Sequence, residues 1–442
     1  ISFNGDLSYL ILNIGGIIAA IVVATVFIPP IYRAGTLTIY GYLGKRFGVG
    51  AMIGASAAFL VGRLLASGAR LFIGAIAFSL ILFDRIELGY LIVAILIFGG
   101  IGTLYTVFGG IRAVIWTDVI QIIVVVGAAM LSIYLLLDAI GLSLGQIIET
   151  LRHGNGPNKL QIVDTDFDLA KAFTLWAAFA VVFSETAAYG VDQDLAQRML
   201  TTRSAWRAGW SLVASKLLSI PVVGMFMVIG LLLSIFYGMP DMMGQVEPLD
   251  DTRKVYPQFL VNHMPKGLAG LAMAGLFAAA MSSLDSAVNA MASSVVADLY
   301  VPWRRAAGRP FDGKANLKTP RLVAAVMGAM LTIFAIGAAV MQSAGGQQLV
   351  NFALGIMAFA YAGLLGVFLT ALVTRRGNTV SVIAAMVVGA VAVLLMQPYM
   401  APAWFGFGLA WPWWMVIATP ISFLVCFAGS PRPANDRTRT AT

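Results

Sequence analysis

The sequence predicts an all-α integral membrane protein, a bundle of about eleven transmembrane helices. Three observations predict it. First, 60% of the 442 residues are hydrophobic and only 11% are charged, with a mean hydropathy of +0.89; soluble domains carry about a quarter charged residues. Second, the chain contains eleven mostly apolar stretches of the roughly 20 residues a membrane helix needs. Third, the basic residues of the intervening loops alternate in number from one side to the other, as they do only if every stretch crosses.

The spans fall at about 7–32, 49–83, 88–108, 113–141, 170–190, 205–237, 265–300, 320–342, 348–374, 379–397 and 411–429. Those longer than 25 residues tilt, kink or project from the bilayer. One set of loops holds eighteen basic residues, among them Arg33, Lys45, Arg46, Arg203, Arg304, Arg305, Lys318 and Arg375, and the other set holds seven. The richer set is expected in the cytoplasm, which puts the C-terminus there and describes a multi-pass protein of the cell (plasma or inner) membrane. The single cysteine, Cys426, excludes a disulfide framework, and the two histidines, His153 and His263, sit in polar loops. The net charge of +8 is spread over short loops, so it forms no basic face for nucleic acid. No P-loop, dinucleotide fingerprint or zinc motif is present.

Six ionisable residues remain at membrane depth: Arg63, Arg70, Asp118, Glu185, Lys216 and Asp285. Each costs about 2.5–3.5 kcal/mol at a helix centre, so each faces the bundle interior or a wet cavity. Ser282, Asp285, Ser286 and Asn289 stand at i, i+3, i+4 and i+7 and share one helix face. Such a stripe suits either a hard cation, which takes oxygen ligands, or helix–helix hydrogen bonds. Ser283 lies about 100° round the helix from Ser282. Asp118, after the turn Gly109-Gly110-Ile111-Arg112, reads either as functional or as a helix-end residue. Arg63 and Arg70 are two turns apart on one face, fit to hold a carboxylate or to pair with an internal acid. Glu185 and Lys216 lie on consecutive spans and are placed to pair. The fifth span is broken near Tyr189-Gly190-Val191-Asp192, either because the helix ends there or because it is interrupted, as in transporter binding sites. The glycines of Phe98-Gly99-Gly100-Ile101-Gly102 and of Gly50 and Gly54 read as close helix contacts.

Four stretches resemble the sodium:solute symporter family: Gly109 to Gln121, which contains Trp116-Thr117-Asp118; Asp192 to Arg198; Lys216 to Pro221; and Ser282-Ser283-x-x-Ser286-x-x-Asn289, closing with Asp298-Leu299-Tyr300. The resemblance implies a five-plus-five inverted-repeat (leucine-transporter-like) helix bundle working by alternating access. It implies a single transporter domain over 1–430 that lacks the family's leading helix and first core helix, followed by a short polar tail at 431–442. The function it implies is sodium-coupled symport of a small organic solute, a carboxylate or amino-acid-like compound. A sodium/sugar symporter and a transporter-like sensor domain are the alternatives, and no enzyme is implied. By the same resemblance the main sodium site uses Ala279, Ser282 and Ser283. A further cation site uses Asp118, Ser282, Asp285 and Ser286, with an acid at 285 where relatives carry a hydroxyl. Arg63, Asn13, Glu185 and Lys216 take solute-contacting positions. The implied partners are sodium as coupling ion, the solute and the lipid bilayer, with no cofactor.

Overall fold

The computed structural model describes residues 1–83, 85–154, 157–238, 255–309, 318–343, 357–398 and 400–431. The regular secondary structure of these residues is all helical, and 157–174 form an irregular connection. Helix α1 spans Ser8–Ala34, and the short α2 spans Ile39–Phe47. Then come α3 (Val49–Phe83), α4 (Leu88–Ile111) and α5 (Val114–Ile140), the surface helix α6 (Leu144–His153), α7 (Leu175–Gly190) and α8 (Gln193–Leu200). The second half holds α9 (Ala205–Gly238), α10 (Val255–His263), α11 (Lys266–Ser294), α12 (Lys318–Ser343), α13 (Met357–Val373), α14 (Thr379–Leu395), α15 (Ala401–Phe405) and α16 (Trp411–Ala428).

Among the described residues seven helices are long and apolar enough to cross a membrane: α1, α3, α4, α5, α9, α12 and α16. The apolar α7, α13 and α14 are shorter, and α11 is long but carries the polar stripe. These are the eleven spans read from the sequence. The start of the ninth, the loop at 310–317 and the tail from 432 lie outside the described residues.

Prolines shape two of the helices. α1 opens into a π-turn over Val23–Phe27 just before Pro29 and Pro30, and α11 continues through a π-turn over Val295–Tyr300 into Val301–Ala306, ahead of Pro302. A proline has no N–H for the carbonyl four residues back, and one wider turn reassigns the orphaned acceptors.

Glycines set the helix crossings. A methyl on Gly15 would overlap the Ala178 carbonyl of α7, and one on Gly50 would sit 2.7 Å from Thr379 of α14. At Gly102 it would stand 2.5 Å from Leu284 and 3.5 Å from the Asp285 carboxylate. The glycine clusters thus bring α1 to α7, α3 to α14 and α4 to α11. α11 lies along α4 and α5, while α13, α14 and α16 pack together beside α3.

Gly110 divides α4 from α5 with φ 58° and ψ −171°, a backbone region essentially reserved for glycine. A side chain there meets nothing within 4 Å, so its cost is purely conformational. Gly110→Ala is expected to destabilise the protein by about 1–3 kcal/mol. Gly100→Ala, at a helical position also open to 4 Å, is expected to be neutral or mildly stabilising. Thermal melting of both variants in detergent checks the contrast; equal melting temperatures would remove the argument.

Candidate functional site

α7 and α8 form one interrupted helix. α7 ends at Gly190, and Val191 and Asp192 leave helical geometry before α8 resumes at Gln193. The break falls where the sequence places it, and the short α8 follows it. The break is held on several sides. The Tyr40 hydroxyl donates to the Val191 carbonyl at 3.0 Å, and the Ile39 N–H donates to the Gln193 side chain at 2.9 Å. Asp192 caps α8 by accepting from the Asp194 N–H at 2.8 Å.

Arg63, 6% exposed, reaches this break from α3. Its Nη1 lies 3.1 Å from Asp192 Oδ2, and its Nη2 pairs with Asp194. The Tyr361 hydroxyl of α13 donates to the same Asp192 oxygen at 2.5 Å. Arg63 is therefore not an open fork in this conformation. Both terminal nitrogens are engaged by carboxylates of the chain, which is the internal pairing left open by the sequence.

The α11 stripe faces α4, α5 and α8. Ser282 donates to Asp118 Oδ1 at 2.5 Å, and Thr106 of α4 donates to Asp285 Oδ1 at 3.1 Å. Asp285 is 1% exposed, and its Oδ2 has no partner. Arg198 of α8 pairs with Asp118 at 2.9 Å and touches the Ser286 hydroxyl. Three of the four predicted cation-site residues, Asp118, Ser282 and Ser286, are thus joined through hydrogen bonds and Arg198, and Asp285 lies buried beside them. Ser283 points to a different side, as its 100° offset requires, and makes no hydrogen bond among the described residues. Ala279 stands one turn before Ser283 in α11; its side chain is outside those described.

The remaining solute candidates gather where α1, α7 and α9 meet. Lys216 Nζ lies 3.9 Å from Glu185 Oε2, the pairing anticipated from their consecutive spans. Lys216 fits against α1 because Gly16 has no side chain; a methyl there would overlap Lys216 Cε. Asn13, one turn earlier, donates to the Leu10 carbonyl at 3.0 Å. Glu185 precedes the break at Asp192 by two turns, about 10 Å along the helix. The interrupted helix thus links this group to Arg63, and the two are separate clusters rather than one.

A cavity of about 710 Å³ opens below the cation cluster. It is lined by Thr106, Asn289 and Gln197 and, at its mouth, by Gly35, Gly109, Thr201 and Arg321. Those mouth residues belong to loops that the charge count assigns to one side. The Asn289 amide and the Gln197 oxygen are buried without partners, so the cavity wall continues the polar stripe. Among the described residues no group of three or more His, Cys, Asp or Glu side chains converges. The cluster of Asp118, Ser282, Asp285 and Ser286 offers hydroxyl and carboxylate oxygens, with the Arg198 guanidinium among them.

Sequence reasoning missed several participants. Asp192, Asp194 and Arg198 lie in a stretch that carries the family resemblance, yet its polarity reads as a loop and gives them no site role. Thr106 is one hydroxyl in an apolar helix. Asp298, 1% exposed, accepts from Thr38 at 2.5 Å beside Ser56 and Ser294. Thr38 also caps α2 through the Gly41 N–H, so this carboxylate ties α2 to the end of α11.

A polar cluster beside a broken helical segment, inside an apolar bundle, fits a secondary transporter. The chain belongs to the sodium:solute symporter family, whose sequence model matches residues 2–389. It is 27% identical over 382 residues to the sodium/sialic acid symporter of Proteus mirabilis, covering 83% of this chain and 71% of that protein. It is 25% identical over 399 residues to the human sodium/iodide cotransporter, covering 88% of this chain but 58% of that protein. Its fold matches that of a solved sodium-coupled sialic acid symporter in a substrate-bound outward-open state, with a TM-score of 0.80 at 22% identity over 96% of this chain and 84% of the other. A nucleobase-cation-symport-1 family transporter matches with a TM-score of 0.51 at 15% identity, over 99% of this chain and 87% of the other. The fold is the inverted-repeat bundle that the resemblance implied, and the family is one of transporters rather than enzymes.

Proposed function

We infer that this chain forms the transport bundle of a sodium-coupled symporter that imports a small carboxylate or amino-acid-like solute. The observation that carries this reading is the convergence of Asp118, Ser282, Asp285 and Ser286 on one polar cluster next to an interrupted helix. Sodium binds at Ser282 and Ser283 with the Ala279 turn of α11, and a second cation binds among Asp118, Ser282, Asp285 and Ser286. Glu185, Lys216 and Asn13 face the solute on one arm of the interrupted helix, and Arg63 holds the other arm in position for it. The inward electrical gradient contributes about 2.3 kcal/mol per charge for each 100 mV.

The relatives support the solute class unevenly. Their names include sialic acid, monocarboxylate, iodide and glucose. Glu185 and Lys216 neutralise each other, which leaves few free groups for a sugar's hydroxyls. The cavity mouth, lined by loops of the basic set, supports release on the cytoplasmic side.

Ser283→Ala removes a half-buried hydroxyl that no other described side chain uses. It is expected to leave the fold intact and to weaken the sodium dependence of uptake by about tenfold or more, the scale of one hydrogen bond to a charged group. Sodium-dependent uptake into proteoliposomes measures this. An unchanged half-saturating sodium concentration would remove Ser283 from the site.

A further inference from the structure

A groove of about 570 Å³ runs between α1 and the first turns of α9. Ile21, Thr25 and Pro29 form one wall, and Trp206, Trp210 and Val213 form the other. Its floor is a close helix contact: a methyl on Gly209 would sit 3.0 Å from the Ala24 Cβ. The walls are apolar. The Thr25 hydroxyl is turned back onto the Ile21 carbonyl at 2.8 Å. The two indoles meet edge to face with ring centroids 5.5 Å apart. Trp206 is 72% and Trp210 54% exposed, so the groove opens outward from the bundle. A recess of this size and lining takes a hydrocarbon chain better than a polar solute.

One end of the groove is basic. Arg203 and Arg207 flank Trp206 in sequence, and Arg33 lies in the last turn of α1, one turn beyond Pro29. The Tyr32 hydroxyl donates to the Met199 carbonyl at 2.6 Å and meets the Thr202 hydroxyl at 2.6 Å. The chain positions next to Arg33 and Arg203 are therefore tied together. All three arginines are exposed, and none makes a side-chain hydrogen bond or ion pair among the described residues. This is the end that the charge count assigns to the cytoplasm, where anionic headgroups give the leaflet its negative potential. Tryptophans and arginines are common at headgroup level; here they stand at the mouth of an interhelical groove. A further helix laid in the groove would cover its walls and leave the guanidiniums unanswered. Free phosphate would answer the charges and leave the walls bare. A charged lipid does both.

We propose that the groove is a binding site for an anionic glycerophospholipid. One acyl chain lies between α1 and α9, and the phosphate is held by Arg203 and Arg207, whose planar forks suit it, with Arg33 at the same end. The α1 wall adjoins the π-turn over Val23–Phe27, so the bound chain braces the least regular part of that helix against α9.

The test titrates the full chain, purified in detergent, with dioleoyl-phosphatidylglycerol, dioleoyl-phosphatidylcholine and glycerol 3-phosphate, and counts bound molecules by native mass spectrometry. The expected result is one phosphatidylglycerol retained in preference to phosphatidylcholine, with no competition from glycerol 3-phosphate. Arg203→Gln combined with Arg207→Gln should weaken that retention by about ten- to thirtyfold, the scale of two basic residues at an anionic surface. Phosphatidylcholine binding should not change. Equal retention of the two lipids in the unaltered chain overturns the proposal, because the groove would then make only ordinary bilayer contacts. Competition by glycerol 3-phosphate overturns the lipid assignment in favour of a phosphate site. A preference undiminished in the double variant places the lipid elsewhere and overturns the site. Should that variant fail to fold, Trp206→Ala with Trp210→Ala carries the test: phosphatidylglycerol retention should fall about tenfold or more, the scale of a large apolar contact, and unchanged retention overturns the groove as the chain's seat.

Discussion

Asp118→Asn is expected to raise the half-saturating sodium concentration for uptake by about ten- to a hundredfold, and Arg198→Gln is expected to lower it. The opposite signs follow from one geometry. Asp118 accepts from Ser282 at 2.5 Å and pairs with Arg198 at 2.9 Å, and Arg198 also touches Ser286. The guanidinium therefore occupies the place of a cation among the residues proposed to bind one. Removing the Asp118 charge removes the strongest attraction for sodium, at about 1.5–3 kcal/mol for a charge-assisted contact. Removing Arg198 leaves Asp118 and Ser286 without a competitor. Asp118 and Arg198 are both part exposed, at 19% and 33% of their side chains, so solvent screens the pair and the fold should tolerate either change. Sodium titrations of uptake, with melting temperatures as controls, decide the matter. A loss of sodium affinity in both variants would make Arg198 a structural clamp and end the competition argument.

How much of this was legible in the sequence depends on what each feature needs. A span needs about 20 apolar residues, so all eleven were readable, including α11 with its stripe. The partners along that stripe needed only helical periodicity, and Ser282, Asp285 and Ser286 do turn toward α4, α5 and α8. The Glu185–Lys216 pair was readable as opposite charges on consecutive spans, although α1 packs against both helices and the two long side chains meet beside it. The pairing of Arg63 was not. Its carboxylates sit 129 and 131 positions away, in a stretch whose polarity looks like a loop because the helix is broken there. Arg198 was hidden for a related reason. It falls among basic residues that the positive-inside rule assigns to a loop, yet the short α8 carries it back under α11. The interrupted helix is thus both the most functional element and the one whose charges hydropathy misfiles.

The largest stability effect is expected at that same place. Arg63→Ala leaves Asp192 and Asp194, 0% and 6% exposed, without their counter-charge. Removing one partner of a buried ion pair costs about 3–5 kcal/mol, because the remaining charge stays desolvated. Asp192 is the better protected of the two, since Tyr361 still donates to it at 2.5 Å; Asp194 loses its salt bridge. Adding Asp194→Asn to Arg63→Ala should therefore recover stability, although it removes a second native side chain. Arg63→Lys should fall between, since one ammonium lacks the fork that serves two carboxylates at once. Melting temperatures in detergent rank the three variants. The outcome that defeats the argument is a double variant less stable than Arg63→Ala alone, because the destabilising quantity would then be lost packing of the arginine stem and not an uncompensated charge. If the ranking holds, α8 is held to α3 electrostatically, and a rearrangement of α8 during transport must move or re-pair those carboxylates.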